Sequence, residues 1–507
     1  MAWTEGNEAT VHVDGAAYFS RLLDLMLQLD DGDCVYLNDW EGQRDERLAA
    51  PGTEVGLVLG DLLRRGVDVR SLLWRSHPRQ AHFAEQDNAA LARKLNPAGA
   101  ELLLDERVKR GGSHHQKLVV LQRSDDPDAA TAFAGGIDLC HGRHDDPCHR
   151  GDDQPAVLDR RYGSRPPWHD VQLELRGPAV GDLVESFRER WEDPTPIDHR
   201  NPWRTALRWL TRQPRHPEPL PRAAHSPRPR GPHRVQVLRT YPSKRPAYPF
   251  APDGERSIAR AYLKAFQRAR RLIYLEDQYF WSADAATAMA EALRAHPRLH
   301  VVVVVPRFPD RDGPMTGPAG RVARGDAIET LRRAGGSRVA CYDLENHCGV
   351  PIYVHAKVCI VDDVWMTVGS DNFNRRSWTH DSELSCAVID ETHDRREPRD
   401  PAGLGDGARV LARDTRLRLW REHLGRRDGD DADLVDPEEG FAALRRAANE
   451  LESWHRSGRR TVRPPGHARP HRADSVRPLT QRWARVVQSL VLDPDGRPKA
   501  LRRAHRY

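Results

Sequence analysis

Two pairs of histidine and lysine stand out in the 507 residues: His115 with Lys117, and His355 with Lys357. Both separations between the pairs are 240 residues, and a small-residue loop follows each. The later stretch is Tyr353 to Glu383, YVHAKVCIVDDVWMTVGSDNFNRRSWTHDSE. On a strand alternate side chains share a face, so an H-x-K spacing predicts an imidazole and an ammonium projecting together from otherwise apolar sequence. Asp362 ends that strand, and a second short strand delivers Gly369, Ser370, Asp371 and Asn372 to the same end of a sheet. The first stretch reads His114-His115-Gln116-Lys117, and its loop is Gly135-Gly136-Ile137-Asp138. Imidazoles supply nucleophiles and general acids near neutral pH, while lysines and amide-bearing loops stabilise anionic oxygens. His114 would face away from His115 on a regular strand and is read as structural.

The elements that must position these groups alternate. Apolar spacing predicts a helix over 16–29, a strand over 34–40, a helix over 54–65, a strand over 68–74, a helix over 86–94 and a strand over 101–105 before the first pair. The second pair is preceded by a strand at 235–239, a helix at 254–270, strands at 272–280 and 299–305, a helix at 321–334 and a strand at 337–344. Such alternation predicts α/β layers. Between the two runs, residues 193–232 are crowded with proline and arginine, which sustain neither a helix nor a central strand, and read as a partly disordered linker.

The pattern H-x-K, then D, then G-S-x-N closely resembles the HKD motif of the phospholipase D superfamily. Pro167-Trp168-His169-Asp170, Ile273-Tyr274-Leu275-Glu276-Asp277-Gln278-Tyr279-Phe280 and Leu419-Trp420-Arg421-Glu422-His423-Leu424-Gly425 are similar to further signatures of its eukaryotic-type and bacterial phospholipases. The resemblance covers residues from about 10 to 425. It implies two homologous α/β halves, 10–192 and 233–425, each a mixed sheet flanked by helices. They would be joined by the linker 193–232, related by pseudo-twofold symmetry, and share one active site at their interface, with 426–507 as a helical tail containing a basic Pro-rich segment.

The resemblance also implies roles. One imidazole attacks phosphorus to form a phosphohistidine and the other protonates the leaving alcohol, with His115 as nucleophile and His355 as general acid. Lys117, Lys357, Ser370 and Asn372 would stabilise the phosphoryl oxygens, with Asp138 and Gly136 in the first loop. Asp170 would orient His115, and Glu383 would orient His355. No metal or other cofactor is implied. Asp362 is the motif's supporting aspartate, whereas Gln122 occupies that place in the first half, so the first half is expected to be braced differently. The segment 140–149 carries Cys140, His141, His144, Cys148 and His149, but its spacing matches no familiar zinc signature and reads as a polar loop over the site.

The activity implied is phospholipase D-type release of a head group to give phosphatidic acid, with transphosphatidylation as a variant. A cardiolipin synthase-like phosphatidyltransferase and a nuclease or DNA-end phosphodiesterase stay open as alternatives. Net charge is +5 with histidine neutral, and the basic residues crowd into 202–239 and 456–507. A summed charge this small says little about partners, and the basic clusters read first as solvated surface, with attraction to phosphates of lipid or nucleic acid as the alternative. The resemblance implies a phospholipid partner at a membrane surface, with nucleic acid as the alternative. The amino terminus lacks a signal-peptide pattern, no apolar run reaches the roughly 20 residues of a membrane helix, and seven thinly spread cysteines suggest free thiols. These readings predict a cytoplasmic protein, peripheral at the membrane. No lipid-binding module of the PX, PH or C2 type is recognisable.

Overall fold

A computed structural model describes residues 3–75, 85–197, 217–221, 226–313, 316–472 and 476–507. Most of the expected linker lies outside these residues. Its described parts lie against the first half: Leu220 is buried in the core, and the backbone carbonyl of Glu218 accepts from the Trp191 indole.

The first sheet contains β1 (Thr4–Val13), β2 (Cys34–Asp39), β3 (Asp68–Trp74), β4 (Glu101–Asp105), β5 (Leu118–Gln122), β6 (Thr131–Gly135) and β8 (Val171–Arg176). Its order is 4-3-2-5-6-8-1, with β2, β3 and β4 parallel and the other pairings antiparallel. The short β7 (Trp168–His169) stands apart from it. The second half repeats this order with β13 (Val339–Glu345), β12 (His300–Val304), β11 (Leu272–Asp277), β15 (Lys357–Val361), β16 (Trp365–Gly369), β17 (Glu383–Asp390) and β9 (His233–Tyr241). Strand β1 pairs with both β8 and β9 and so joins the sheets. The sequence reading began the fold at the first helix. Strand β1 precedes it, with little apolar sequence because only part of its length is buried.

Two-sided burial explains the layers. Leu118, Val120, Ala132, Ala134 and Leu173 of the first sheet share one apolar core with Val358, Ile360, Val368, Leu384 and Cys386 of the second, so the sheets pack face to face. Helices α1 (Gly15–Met26), α2 (Val55–Arg64) and α3 (Glu85–Leu95) cover the outer face of the first sheet, and α4 (Ala179–Trp191) packs into the shared core. Helices α5 (Ser257–Arg268), α6 (Ala283–Ala295) and α7 (Thr316–Gly335) cover the outer face of the second. The result is a helix–sheet–sheet–helix stack of two mixed-sheet halves.

The tail is built onto the second half. Helix α9 (Val410–Leu424), which follows the short α8 (Arg375–Thr379), packs with α10 (Pro437–Arg456). Beyond them, β18 (Ala468–Pro470) extends the second sheet antiparallel to β13. Helix α11 (Pro478–Val487) lies along α7, and α12 (Lys499–Arg503) ends the chain. Among the described residues no helix is long and apolar enough to cross a membrane.

Candidate active site

Neither histidine–lysine pair lies on a continuous strand, as their spacing suggested. Strand β14 (Pro351–Val354) stops just before His355, and β15 starts at Lys357. In the first half β5 starts at Leu118, just after Lys117. The breaks occur because the chain changes partners there. Strand β14 runs parallel to β7 across the interface, and the His355 amide donates to the His169 carbonyl at 2.8 Å. Correspondingly, His114 bridges Ser382, and the His115 amide donates to the Ser382 carbonyl at 2.9 Å. Each histidine is thus pinned to the other half of the molecule.

That pinning exchanges the expected carboxylate partners. His115 Nδ1 lies 2.9 Å from Glu383 Oε2, and His355 Nδ1 lies 2.7 Å from Asp170 Oδ2. The pairing of Asp170 with His115 and of Glu383 with His355 is therefore corrected. Ser382 and His169 immediately precede the two carboxylates, so the cross-interface bridges deliver each acid to the opposite imidazole. With Nδ1–H donating to a carboxylate, Nε2 of each ring carries the lone pair or a second proton.

Both imidazoles line one cavity of about 650 Å³, together with Asp138, Arg143, Trp168, Gln278, Asn372 and Glu383. The two lysines are buried beside it. Lys117 Nζ sits 3.1 Å from Asp138 Oδ1, whereas Lys357 Nζ donates to Gln278 Oε1 at 3.3 Å and to the His355 carbonyl. Burial, then the neighbouring charge of Lys117, pulls the Lys357 ammonium down to about 8. Burial also holds the His355 imidazole well below its ordinary range, with Lys357 and Arg143 adding to the effect. Burial raises its partner Asp170.

The loops differ in how they meet the carboxylates. The Ser370 hydroxyl donates to Glu383 Oε2 at 2.5 Å. Gly136 stands at the equivalent place, where a Cβ would sit 2.1 Å from Asp170 Oδ1, so only glycine admits that carboxylate. Asp170 instead accepts from Trp168 Nε1 at 3.3 Å and from the Val171 amide at 2.9 Å. Asn372 Oδ1 is buried beside the cavity without a hydrogen-bond partner among the described residues.

Four contributors were not picked out from sequence. Asp39 accepts the Leu139 amide at 2.9 Å, just as Asp277 accepts the Phe373 amide at 2.9 Å. Asp39 also hydrogen-bonds Asp138. Burial and the Asp138 charge push Asp39 well up, while Lys117, Asp39 and Arg143 together overcome burial and hold Asp138 far below the carboxylate range. The guanidinium of Arg143 lies 4.2 Å from the Trp168 ring centre and places a cation in the cavity wall. Gln278 is the fourth. The signals were present: Asp39 and Asp277 hold matching places at the ends of β2 and β11, Arg143 lies in the polar segment 140–149 that follows the first loop, and Gln278 follows Asp277.

Asp362 acts at the far end of β15. Its carboxylate accepts the amides of Arg270, Arg271 and Leu272, each at 2.8 Å, and fixes the start of β11. Gln122 ends β5 opposite Cys34. In that half the carboxylate comes from the other strand: Asp33, just before β2, accepts the Ser124 amide at 2.8 Å and its hydroxyl at 3.2 Å.

Beneath the site a buried charge seam joins the halves. His169 contacts Asp14 at 3.1 Å, Glu422 at 3.0 Å and Glu276 at 2.9 Å, and His423 contacts Glu276 at 2.7 Å. His149 reaches Glu422 at 3.3 Å, and the donor atoms of Asp14, His149, His169 and Glu422 lie close enough together to hold a cation. Of the metal-capable segment 140–149, only His149 joins this group.

A family model described as Phospholipase D matches residues 44–302 and 336–468, and one described as Cardiolipin synthase, PLD-like domain, matches residues 262–395. The chain is 26% identical over 525 residues to Phospholipase D alpha 1 of Arabidopsis thaliana, a match covering 78% of this chain and 62% of that protein. It is 29% identical over 374 residues to Phospholipase D A of Dictyostelium discoideum, covering 62% of this chain and 27% of that one. The chain therefore spans about three fifths of the length of the plant relative. The solved structure of phosphatidylserine synthase from Haemophilus influenzae Rd KW20 is similar with a TM-score of 0.49 and 13% identity, over 76% of this chain and 82% of that one. With a matching family model over more than half of its residues, the chain belongs to the phospholipase D family.

Proposed function

We propose that this protein is a phospholipase D-type phosphodiesterase that cleaves a phospholipid head group to give phosphatidic acid. One observation carries the reading: two histidine–carboxylate dyads, each shared across the interface, face a single cavity with two lysines beside it.

The diester phosphate fits between the imidazoles, where Lys117, Lys357 and Arg143 balance its charge and Asn372 can donate to an equatorial oxygen. His115, its Nδ1–H fixed by Glu383, attacks phosphorus through Nε2 while the bond to the head-group oxygen breaks. His355 gives that oxygen its proton. The ligand-free site keeps His355 neutral, and the anion that substrate brings among these cations favours its protonation. Neutral again, His355 takes a proton from the incoming water, which attacks phosphorus and releases His115. An alcohol entering in place of water gives transphosphatidylation, and the match of 262–395 to the cardiolipin synthase domain favours testing glycerol-type acceptors.

The test is release of free head group from phosphatidylcholine in EDTA, with acid-free quenching and mass spectrometry of the histidine peptides. Release with a phosphatidyl adduct on His115 is expected. An adduct on His355 would exchange the two roles, and absence of release would overturn the phospholipase reading and direct the assay to single-stranded DNA and RNA.

A further inference from the structure

The tail ends beside the active site and presents an apolar face there. Helix α11 and the turn that continues it to Leu492 have two apolar faces. The inner one, with Val476, Ala484, Val487 and Leu492, packs on Ala319 and Val322 of α7. The outer one carries Leu479, Trp483, Val486 and Leu490, at helical spacings of four, three and four residues, and is left open. Leu479 is 81% exposed, Leu490 72% and Val491 58%. An open stripe of this kind on a helix already packed by its other side calls for an occupant.

Three observations say which. Leu492, next in sequence to Val491, lines the cavity that holds His115 and His355, so the apolar face continues into the catalytic mouth. The segment and the chain end beyond it are rich in cations: residues 477–492 contain no acidic side chain, Arg485 pairs with Asp326 of α7 at 3.0 Å, and Arg477, Arg482, Lys499, Arg502, Arg503 and Arg506 are exposed. The segment is also clamped to both halves. The Arg376 amide donates to Asp493 Oδ1 at 2.7 Å, the Gly496 amide donates to Thr379 Oγ1 at 2.9 Å, and Lys109 Nζ donates to the Gly496 carbonyl at 2.9 Å. A Cβ at Gly496 would meet the Thr379 carbonyl oxygen at 2.0 Å.

The geometry points to residues 477–492 as a docking element for an anionic phospholipid bilayer, holding the catalytic mouth against the surface from which its substrate comes. This inference rests on the phospholipase reading for its substrate, but the surface itself makes a separate claim. An interfacial helix inserts its apolar side chains among acyl chains while flanking arginines meet lipid phosphates. Such an element would supply the membrane access that a lipid substrate requires.

The test uses the full chain and the variant Leu479→Glu/Val486→Glu/Leu490→Glu, whose altered positions face away from α7. Flotation with vesicles of phosphatidylcholine and phosphatidic acid is measured beside head-group release from the same vesicles and from a soluble short-chain phosphatidylcholine. The expected result is flotation of the unaltered protein that the variant loses, and vesicle hydrolysis reduced about tenfold or more. Release from the soluble lipid should be unchanged. Equal flotation of both proteins would overturn the inference. So would failure of the unaltered protein to float together with a dimer that the variant loses, which would assign the face to a second copy of this chain. Flotation lost in the variant, without head-group release from either lipid by either protein, would sustain the surface and sink the phospholipase reading.

Discussion

The two halves share a strand order and the cross-interface bridge at each histidine, yet they are wired differently. In the first half Lys117 faces the carboxylate of Asp138, which is hydrogen-bonded to Asp39. In the second the corresponding residues are Lys357, Asn372 and Asp277, and the lysine meets the amide of Gln278. The carboxylate that orients His115 also holds the Ser370 hydroxyl, whereas the one that orients His355 holds an indole and a backbone amide. Duplication therefore fixes where the backbone puts the reacting groups, and side-chain changes around them set the charge. Two imidazoles in equivalent places can then perform opposite proton tasks.

The largest effect that would break this comparison is loss of either imidazole. His115→Ala and His355→Ala are each expected to lower head-group release by roughly 10⁴-fold, and the double variant should be no worse than either single one, because the two act as a unit. Losses that multiply in the double variant would mean that the two imidazoles contribute independently and do not act as a unit.

The crossed pairing is sharpened by the carboxylates. Glu383→Gln and Asp170→Asn should each cost about 10²–10⁴-fold by releasing the imidazole tautomer. A phosphatidyl ester of p-nitrophenol needs little protonation of its leaving group. It should restore the first-turnover burst of p-nitrophenol in His355→Ala and Asp170→Asn but in neither His115→Ala nor Glu383→Gln. Rescue of Glu383→Gln in place of Asp170→Asn would return each acid to the histidine of its own half.

The lysines give a smaller and pH-dependent contrast. In the proposed mechanism Lys357 would stabilise phosphoryl charge only while protonated, so its contribution would be present below about 8 and lost as pH rises through that value. An alkaline limb near that pH is expected in kcat/KM, and Lys357→Arg should move it upward, because a guanidinium stays charged. A limb unmoved by Lys357→Arg would assign it to another group.

The smallest effects concern stability. Asp362→Ala removes the acceptor of three backbone amides and should cost about 2–3 kcal/mol in denaturant unfolding. Asp33→Ala should cost about 1 kcal/mol and Gln122→Ala under about 0.5 kcal/mol. A larger loss at Gln122 than at Asp33 would return the brace of the first half to its motif position.

Much of this was legible in the chain itself. The duplicated His-x-Lys spacing, the glycine loops and the alternation of strand and helix periods are local patterns, set by covalent spacing and by which side chains can be buried. They were enough to expect α/β layers and to single out both histidines and both lysines, while the resemblance they carry implied the two mixed-sheet halves and both carboxylates. What the sequence could not express was which carboxylate meets which imidazole. That depends on β14 lying against β7 and on His114 bridging Ser382, contacts between residues 185 to 268 positions apart, which no local pattern encodes. The same holds for the brace of the first half, moved to Asp33 on the neighbouring strand, and for the tail helix, whose basic and apolar residues gained a direction only when it packed on α7. Residue types and their spacing determined the chemistry this protein can carry. The packing of two sheets face to face decided how its charges are paired, because hydrogen bonds and desolvation act between neighbours in space.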